Sequence, residues 1–205
     1  MKPHPALPKR LPSIRVRAGK RLMRIHAPRI HAPRIHARAQ GALWFGPASG
    51  RLPIHRFDDP DGRFRVCYLA TTVEICFAET FLRNPPVRIL SLEDLGGRSI
   101  ATVEVRRELR LVPIHGPGLV RLGVTAELAS GSNYAGSQLW SRALWEHPDK
   151  PDGILYRSRH DDSALCVAVY NRAKDCLAVI RDESLAKDAQ QLARLLKRYR
   201  LGLTG

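Results

Sequence analysis

RFDDPDGRFRVCYLATTVEICFAETFL, residues 56–82, joins an arginine, a turn, a short apolar strand and a capped helix into one unit. Asp58-Asp59-Pro60-Asp61-Gly62 is a turn by composition: Asp bonds its own backbone, Pro presets φ and Gly admits positive φ. Residues 64–70 (FRVCYLA) are rich in strand formers and short enough for a buried strand. Thr71 with Glu74 three places on is a capping-box pattern and predicts a helix over 72–83. Glu79 falls on the face of that helix shared by Ile75, Cys76 and Leu82. A glutamate there is either held for chemistry or reaches water and bridges Arg83 at i+4, a pair worth about 0.3–0.5 kcal/mol.

Working outward, 87–90 and 100–105 read as strands, the second alternating cleanly as IATVEV, and 109–114 as another. His115-Gly-Pro-Gly reads as a loop, and 134–146 as a helix burying Leu139 or Trp140 with Leu144. Asp152-Gly153 opens a strand, ILYRS, and the near-continuous apolar run at 164–170 suits a central strand. The segment 182–199 is amphipathic, with Leu185, Ala189, Leu192, Leu196 and Tyr199 on one stripe and Gly202 as its stop. Strands interrupted irregularly by helices predict an α+β domain. At 205 residues, with 44% hydrophobic residues, the chain suits one domain with a sizeable core.

The net charge of +15 is unevenly spread. Residues 1–38 hold eleven Lys or Arg and no acid, leaving 23 basic against 19 acidic residues in the rest. Within that stretch RIHAP occurs at 24–28 and again at 29–33, followed by RIHA at 34–37. A period of five matches neither helix nor strand, and the recurring Pro blocks regular pairing. The expected organisation is a disordered, basic, low-complexity leader over 1–33 and a folded domain over 34–205. Such an arm would bind nucleic acid weakly and in a salt-sensitive way. No membrane span or secretory signal is expected. His26, His31 and His36 lack flanking carboxylates or thiols, and the four cysteines show no close pairing, so no metal site is expected. Buried thiols in a reducing cytoplasm are the expected state.

The ordered set Arg56, YLA at 68–70, FAETF at 77–81 and GILYRSRHDD at 153–162 resembles the RES domain family, over about residues 34–180. The resemblance implies an ADP-ribosyltransferase-like fold, an α+β domain with a mixed, split sheet and flanking helices. It also implies a toxin that consumes NAD by phosphorolysis or hydrolysis of the nicotinamide–ribose bond. NAD is then a substrate, no cofactor is needed, and the partners are inorganic phosphate as a candidate acceptor and a helix-turn-helix antitoxin of Xre type, with a homodimer left open. The family's arginine, glutamate and serine correspond to Arg56, Glu79 and Ser158. An early arginine best matches Arg34, although Arg24 and Arg29 sit in identical local sequence.

These residue types suit that reaction. Loss of nicotinamide builds positive charge on the ribose, which the Glu79 carboxylate would stabilise. The guanidinium of Arg56 forks onto phosphate oxygens, unless Asp58 or Asp59 in the turn claims it. Arg34 is a second cation for phosphate, Tyr68 would line the nicotinamide slot, and Ser158 would hold the ligand or orient Glu79. Phe57 stands where many of these domains have Trp or Tyr, and Asn171 is the one match to an Asn-bearing segment, in the role of a ribose or adenine contact. Two other functions stay open: an ADP-ribosyltransferase acting on a protein, and a nucleic-acid-associated module working through the cationic arm.

Overall fold

The apolar run LCVAVY is the strand around which the sheet is arranged, because it lies in the middle of the sheet and is buried on both faces. The computed structural model describes residues 7–27, 41–46, 53, 55–84 and 86–205. Its strands are β1 (Ile14–Val16), β2 (Arg21–His26), β3 (Val66–Ala70), β4 (Ile89–Ser91), β5 (Ser99–Val105), β6 (Leu109–Ile114), β7 (Gly153–Arg157), β8 (Leu165–Tyr170), β9 (Leu177–Ser184) and β10 (Gly202–Thr204). The helices are α1 (Val73–Phe81), α2 (Leu92–Gly96), α3 (Pro117–Leu122), α4 (Glu127–Ser130), α5 (Ala135–Glu146) and α6 (Ala189–Tyr199).

Eight strands form one mixed sheet in the order β1-β6-β7-β8-β3-β2-β5-β9, and β4 and β10 pair as a small parallel ribbon. Within the large sheet β6 and β7 are parallel, and α3, α4 and α5 make the crossover that such a pair requires. One junction is weak. β3 pairs with β8 over five positions and β2 with β5 over six, yet β2 and β3 share only the pair Met23↔Ala70. The sheet is therefore nearly split between β3 and β2, the mixed, split α+β arrangement that the resemblance implies.

Burial follows the strand alternation. Val66 and Ala70 of β3 and Cys166, Ala168 and Tyr170 of β8 face the helices and pack with Ile75, Phe77, Trp140 and Leu144. Cys67, Leu69, Val167 and Val169 face the other way and meet Leu22, Val103, Val105, Leu109 and Leu111 from both halves of the same sheet. The sheet thus curls and buries its second face on itself. Gly153 at the start of β7 is needed for that packing: a Cβ there would lie 2.2 Å from the Ala168 carbonyl oxygen.

Several expectations are corrected. The stretch 1–33 is not a detached leader: β1 and β2 lie within it, and β2 fills the place between β3 and β5. The first repeat copy supplies Arg24-Ile25-His26 to that strand and all three side chains are buried, whereas the second and third copies, and the Arg34 assigned from the third, lie outside the described residues. The cap of α1 is Thr72, whose hydroxyl accepts from Ile75 N, while Thr71 Oγ1 bonds the Leu165 backbone. Residues 182–184 belong to β9, α6 begins at Ala189, and it ends at Arg200 in the left-handed region rather than at Gly202. The loop expected at His115-Gly-Pro-Gly opens α3, with Pro117 in its first turn. In α5 it is Trp140, not Leu139, that joins Leu144 in the core.

Candidate active site

A cavity of about 380 Å³ opens where β2 and β3 part. Arg24, Ile25 and His26 form one wall, Tyr68, Leu69 and Ala70 the other, and Cys76, Glu79 and Thr80 of α1, with Arg83 just past its C-terminal end, complete that side. His55 and Arg56 enter from the turn before β3, Tyr134 from the start of α5, and Arg159 and His160 from the loop between β7 and β8. The size is within the range of small-molecule sites, roughly 300–1,000 Å³. Its charge is lopsided: among the described residues, five arginines, at 24, 56, 83, 98 and 159, and three histidines accompany one carboxylate, Glu79.

Glu79 is placed by the helix that the sequence predicts. Ile75, Cys76, Phe77 and Ala78 are buried, which presses that side of α1 onto the sheet and leaves Glu79 half-buried at the cavity wall. The alternative ion pair with Arg83 is not what holds it: Arg83 Nε donates 2.8 Å to the Glu79 backbone carbonyl. Among the described residues no ion pair engages the Glu79 carboxylate. Its charge is felt instead across the cavity, by Arg56, His55, His160 and Tyr156.

Arg56 is buried, and its turn is built so that the acids beside it are already engaged. Asp58 accepts from His55 N at 2.8 Å and from the Tyr68 hydroxyl at 3.0 Å. Asp59 accepts from Arg142 Nε at 2.7 Å and from Arg63 N at 2.7 Å. Arg56 instead donates to the Gly131 carbonyl at 2.7 Å and lies 4.5 Å from the ring centroid of Tyr134. Burial pulls its pKa below the ordinary value, so part of its hydration is already lost before any ligand arrives. Arg24 crosses the seam: its Nη1 donates 2.9 Å to the Tyr68 carbonyl, bridging the strands where ladder pairing has stopped.

The remaining ionisable groups limit the chemistry. Burial pushes the Cys76 thiol up to about 12 and Cys166 well above its ordinary value, so neither is a thiolate near neutrality. Burial also holds His55 and His160 below the ordinary 6.5, leaving both imidazoles neutral at pH 7. No cluster of His, Cys, Asp and Glu with metal-binding geometry occurs among the described residues. The cavity can therefore bind a ligand with several negative charges and set one carboxylate against positive charge developing on it.

The RES domain model matches residues 21–192, which is most of the chain. This chain belongs to the RES domain family. A protein of Sinorhizobium fredii (strain NBRC 101917 / NGR234) described as probable toxin y4kH is 32% identical over 116 residues, covering 57% of this chain and 88% of its own length. The toxin–antitoxin complex MbcT–MbcA of M. tuberculosis contains a chain similar in structure, with a TM-score of 0.57 and 17% identity over 88% of this chain and 91% of that one. At that identity the likeness is one of fold, and the shared fold is the α+β, ADP-ribosyltransferase-like one.

In this RES domain the cavity gathers Arg56, Tyr68 and Glu79 of the six residues singled out from sequence. Arg34 lies outside the described residues. Ser158 is buried behind the lining, where its Oγ accepts from His160 N at 3.1 Å and Asp161 N at 3.2 Å. It shapes the loop that presents Arg159 and His160. Asn171 is at the far end of the β3–β8 ladder, where its Oδ1 accepts from Arg65 N at 3.2 Å, and it does not line the cavity. Tyr68 has its hydroxyl committed to Phe57 N and Asp58 and offers its ring, edge-on to His55 at 5.1 Å. Arg24, left open from sequence as an alternative to Arg34 because the RIHAP repeat makes the copies identical, is the copy that lines the cavity. Sequence reasoning missed His55, Tyr134, Arg159 and His160, which no spacing rule singles out.

Proposed function

We propose that this chain is the toxin of a toxin–antitoxin pair and destroys NAD by breaking the bond between nicotinamide and ribose. The observation that carries this reading is the lone Glu79 carboxylate in a cavity whose lining, among the described residues, also holds five arginines. A dinucleotide brings a doubly charged pyrophosphate, which suits the arginines, and a ribose that turns cationic as nicotinamide leaves, which suits the glutamate. In the reaction the ribose C1′–N bond breaks and its electron pair departs with the nicotinamide nitrogen. An incoming oxygen then closes on C1′ and loses its proton, and the neutral imidazoles of His55 and His160 are bases within the same cavity.

The role expected of Arg34 is one that Arg24 is positioned to take, since it lies buried in the cavity wall beside the same strand as Tyr68. The cationic surplus exceeds what one pyrophosphate needs, and this supports inorganic phosphate over water as the acceptor. The antitoxin named with the M. tuberculosis relative supports a protein partner of that kind here. A nucleic-acid role for the basic N-terminal region gains little, because β2 uses Arg24 and His26 inside the sheet. The test is to incubate purified protein with NAD, with and without phosphate, and to identify products by mass spectrometry. Nicotinamide with a phosphorylated ADP-ribose supports the reading; intact NAD under both conditions overturns it.

A further inference from the structure

We infer that the C-terminal helix α6 latches the Arg159–His160 loop against α1 through Tyr199 and Asp161, which makes both of these positioning residues for the anion-binding side of the cavity. The loop between β7 and β8 carries its two cavity-lining side chains at its exposed turn. At its base, Ser158 Oγ takes the backbone N–H groups of His160 and Asp161. At its tip, Asp161 Oδ1 accepts from Ser163 N at 3.0 Å, so the carboxylate is built into the loop. The other oxygen, Oδ2, points away to α6, 2.7 Å from the Tyr199 hydroxyl and 3.3 Å from Arg198 Nη2.

Tyr199 in turn is fixed to the helix that bears Glu79. Its ring stacks on Phe77 with centroids 5.9 Å apart and planes 4° from parallel, and its hydroxyl lies 3.0 Å from the Glu74 carbonyl. One side chain therefore spans α1, α6 and the loop. Partial burial works to raise the Asp161 pKa, but hydrogen bonds from Ser163, Tyr199 and Arg198 prevail and hold it at about 2. The contact is thus a charge-assisted bond across most of the pH range. Arg159 is exposed and long, and the latch restricts the loop that aims it into the cavity, which lowers the entropy lost when an anion binds.

Tyr199→Phe keeps the ring stack and removes the hydroxyl; Asp161→Asn keeps the loop acceptor and removes the charge. Hydrogen–deuterium exchange of the intact protein reads the latch without reference to activity. Backbone amides of residues 158–164 should exchange roughly tenfold faster in both variants, with β3 and β8 unchanged. The kinetic arm rests on the proposed NAD reaction: KM for NAD should rise on the order of fivefold in each variant with kcat within about twofold. Unchanged exchange of the loop in both variants overturns the latch, whatever the activity. Faster exchange with unchanged KM overturns its role in positioning. A wild-type protein that leaves NAD intact contradicts the proposed reaction instead, and the exchange result still decides the latch.

Discussion

Arg56 shows why a side chain's neighbours in sequence are a poor guide to its partners. Asp58 and Asp59 stand two and three residues away, yet both are consumed by backbone N–H groups, Tyr68 and Arg142. What holds Arg56 comes from 75 positions on, the Gly131 carbonyl, together with the ring of Tyr134. This geometry needs a flat guanidinium, since an ammonium cannot bond the carbonyl, lie on the ring and still present a fork to phosphate. Arg56→Lys should therefore raise KM for NAD roughly tenfold and change kcat much less. An unchanged KM in steady-state kinetics would assign Arg56 to holding the turn alone. Glu79, by contrast, was legible from sequence, because a carboxylate at i+4 from Ile75 and i+3 from Cys76 must lie at the edge of a buried helical face. Ser158 was legible as a position but not as a role, since its two backbone bonds depend on a turn that spacing does not reveal.

At the level of elements, β2 is the strand whose character was hidden. Its sequence RLMRIH holds two arginines and a histidine in six residues and sits among prolines and basic residues, so it reads as a solvated arm. The structure buries Leu22, Arg24, Ile25 and His26, because the strand pairs with β5 along its full length, Arg24 lines the cavity and His26 hydrogen-bonds Asp182. Removing residues 1–27 should thus abolish the cooperative thermal transition, with β5 losing its ladder on one side. A truncated protein that melts like the full chain would show that β2 is peripheral. The helix α1 makes a gentler test. Thr72→Ala removes the side-chain cap and should cost about 1 kcal/mol, read as a lowered denaturant midpoint with unchanged slope. β3 and β8 were readable as strands since their apolar runs are short and unbroken, and the curled sheet explains why neither alternates.

At the scale of the whole molecule, the thinly paired β2–β3 junction coincides with the site of the charge imbalance. The β2–β3 seam opens the cavity, Arg24 spans it, and α1 presents Glu79 over it. Acid should act on this arrangement in a defined direction. His55 and His160 have folded pKa values below the ordinary 6.5, so the unfolded chain binds more protons and stability falls as pH drops through that value. Asp161, held at about 2 against an ordinary 3.8, adds stability that is present above 3.8 and is lost as pH falls towards 2. Thermal melts from pH 8 to pH 3 should show Tm falling in two stages, with the lower stage reduced in Asp161→Asn. A Tm independent of pH between 7 and 5 would contradict the burial of the two imidazoles.

The most direct test of the account compares the wild-type protein with Glu79→Gln, a nearly isosteric change at the cavity wall. Both would be mixed with NAD, with nicotinamide release followed in a single turnover and NAD binding followed by calorimetry. The account predicts binding within a few-fold of wild type and release slowed by at least roughly a thousandfold, because the charge matters only as the ribose becomes cationic. Nicotinamide release at the wild-type rate from Glu79→Gln would contradict it.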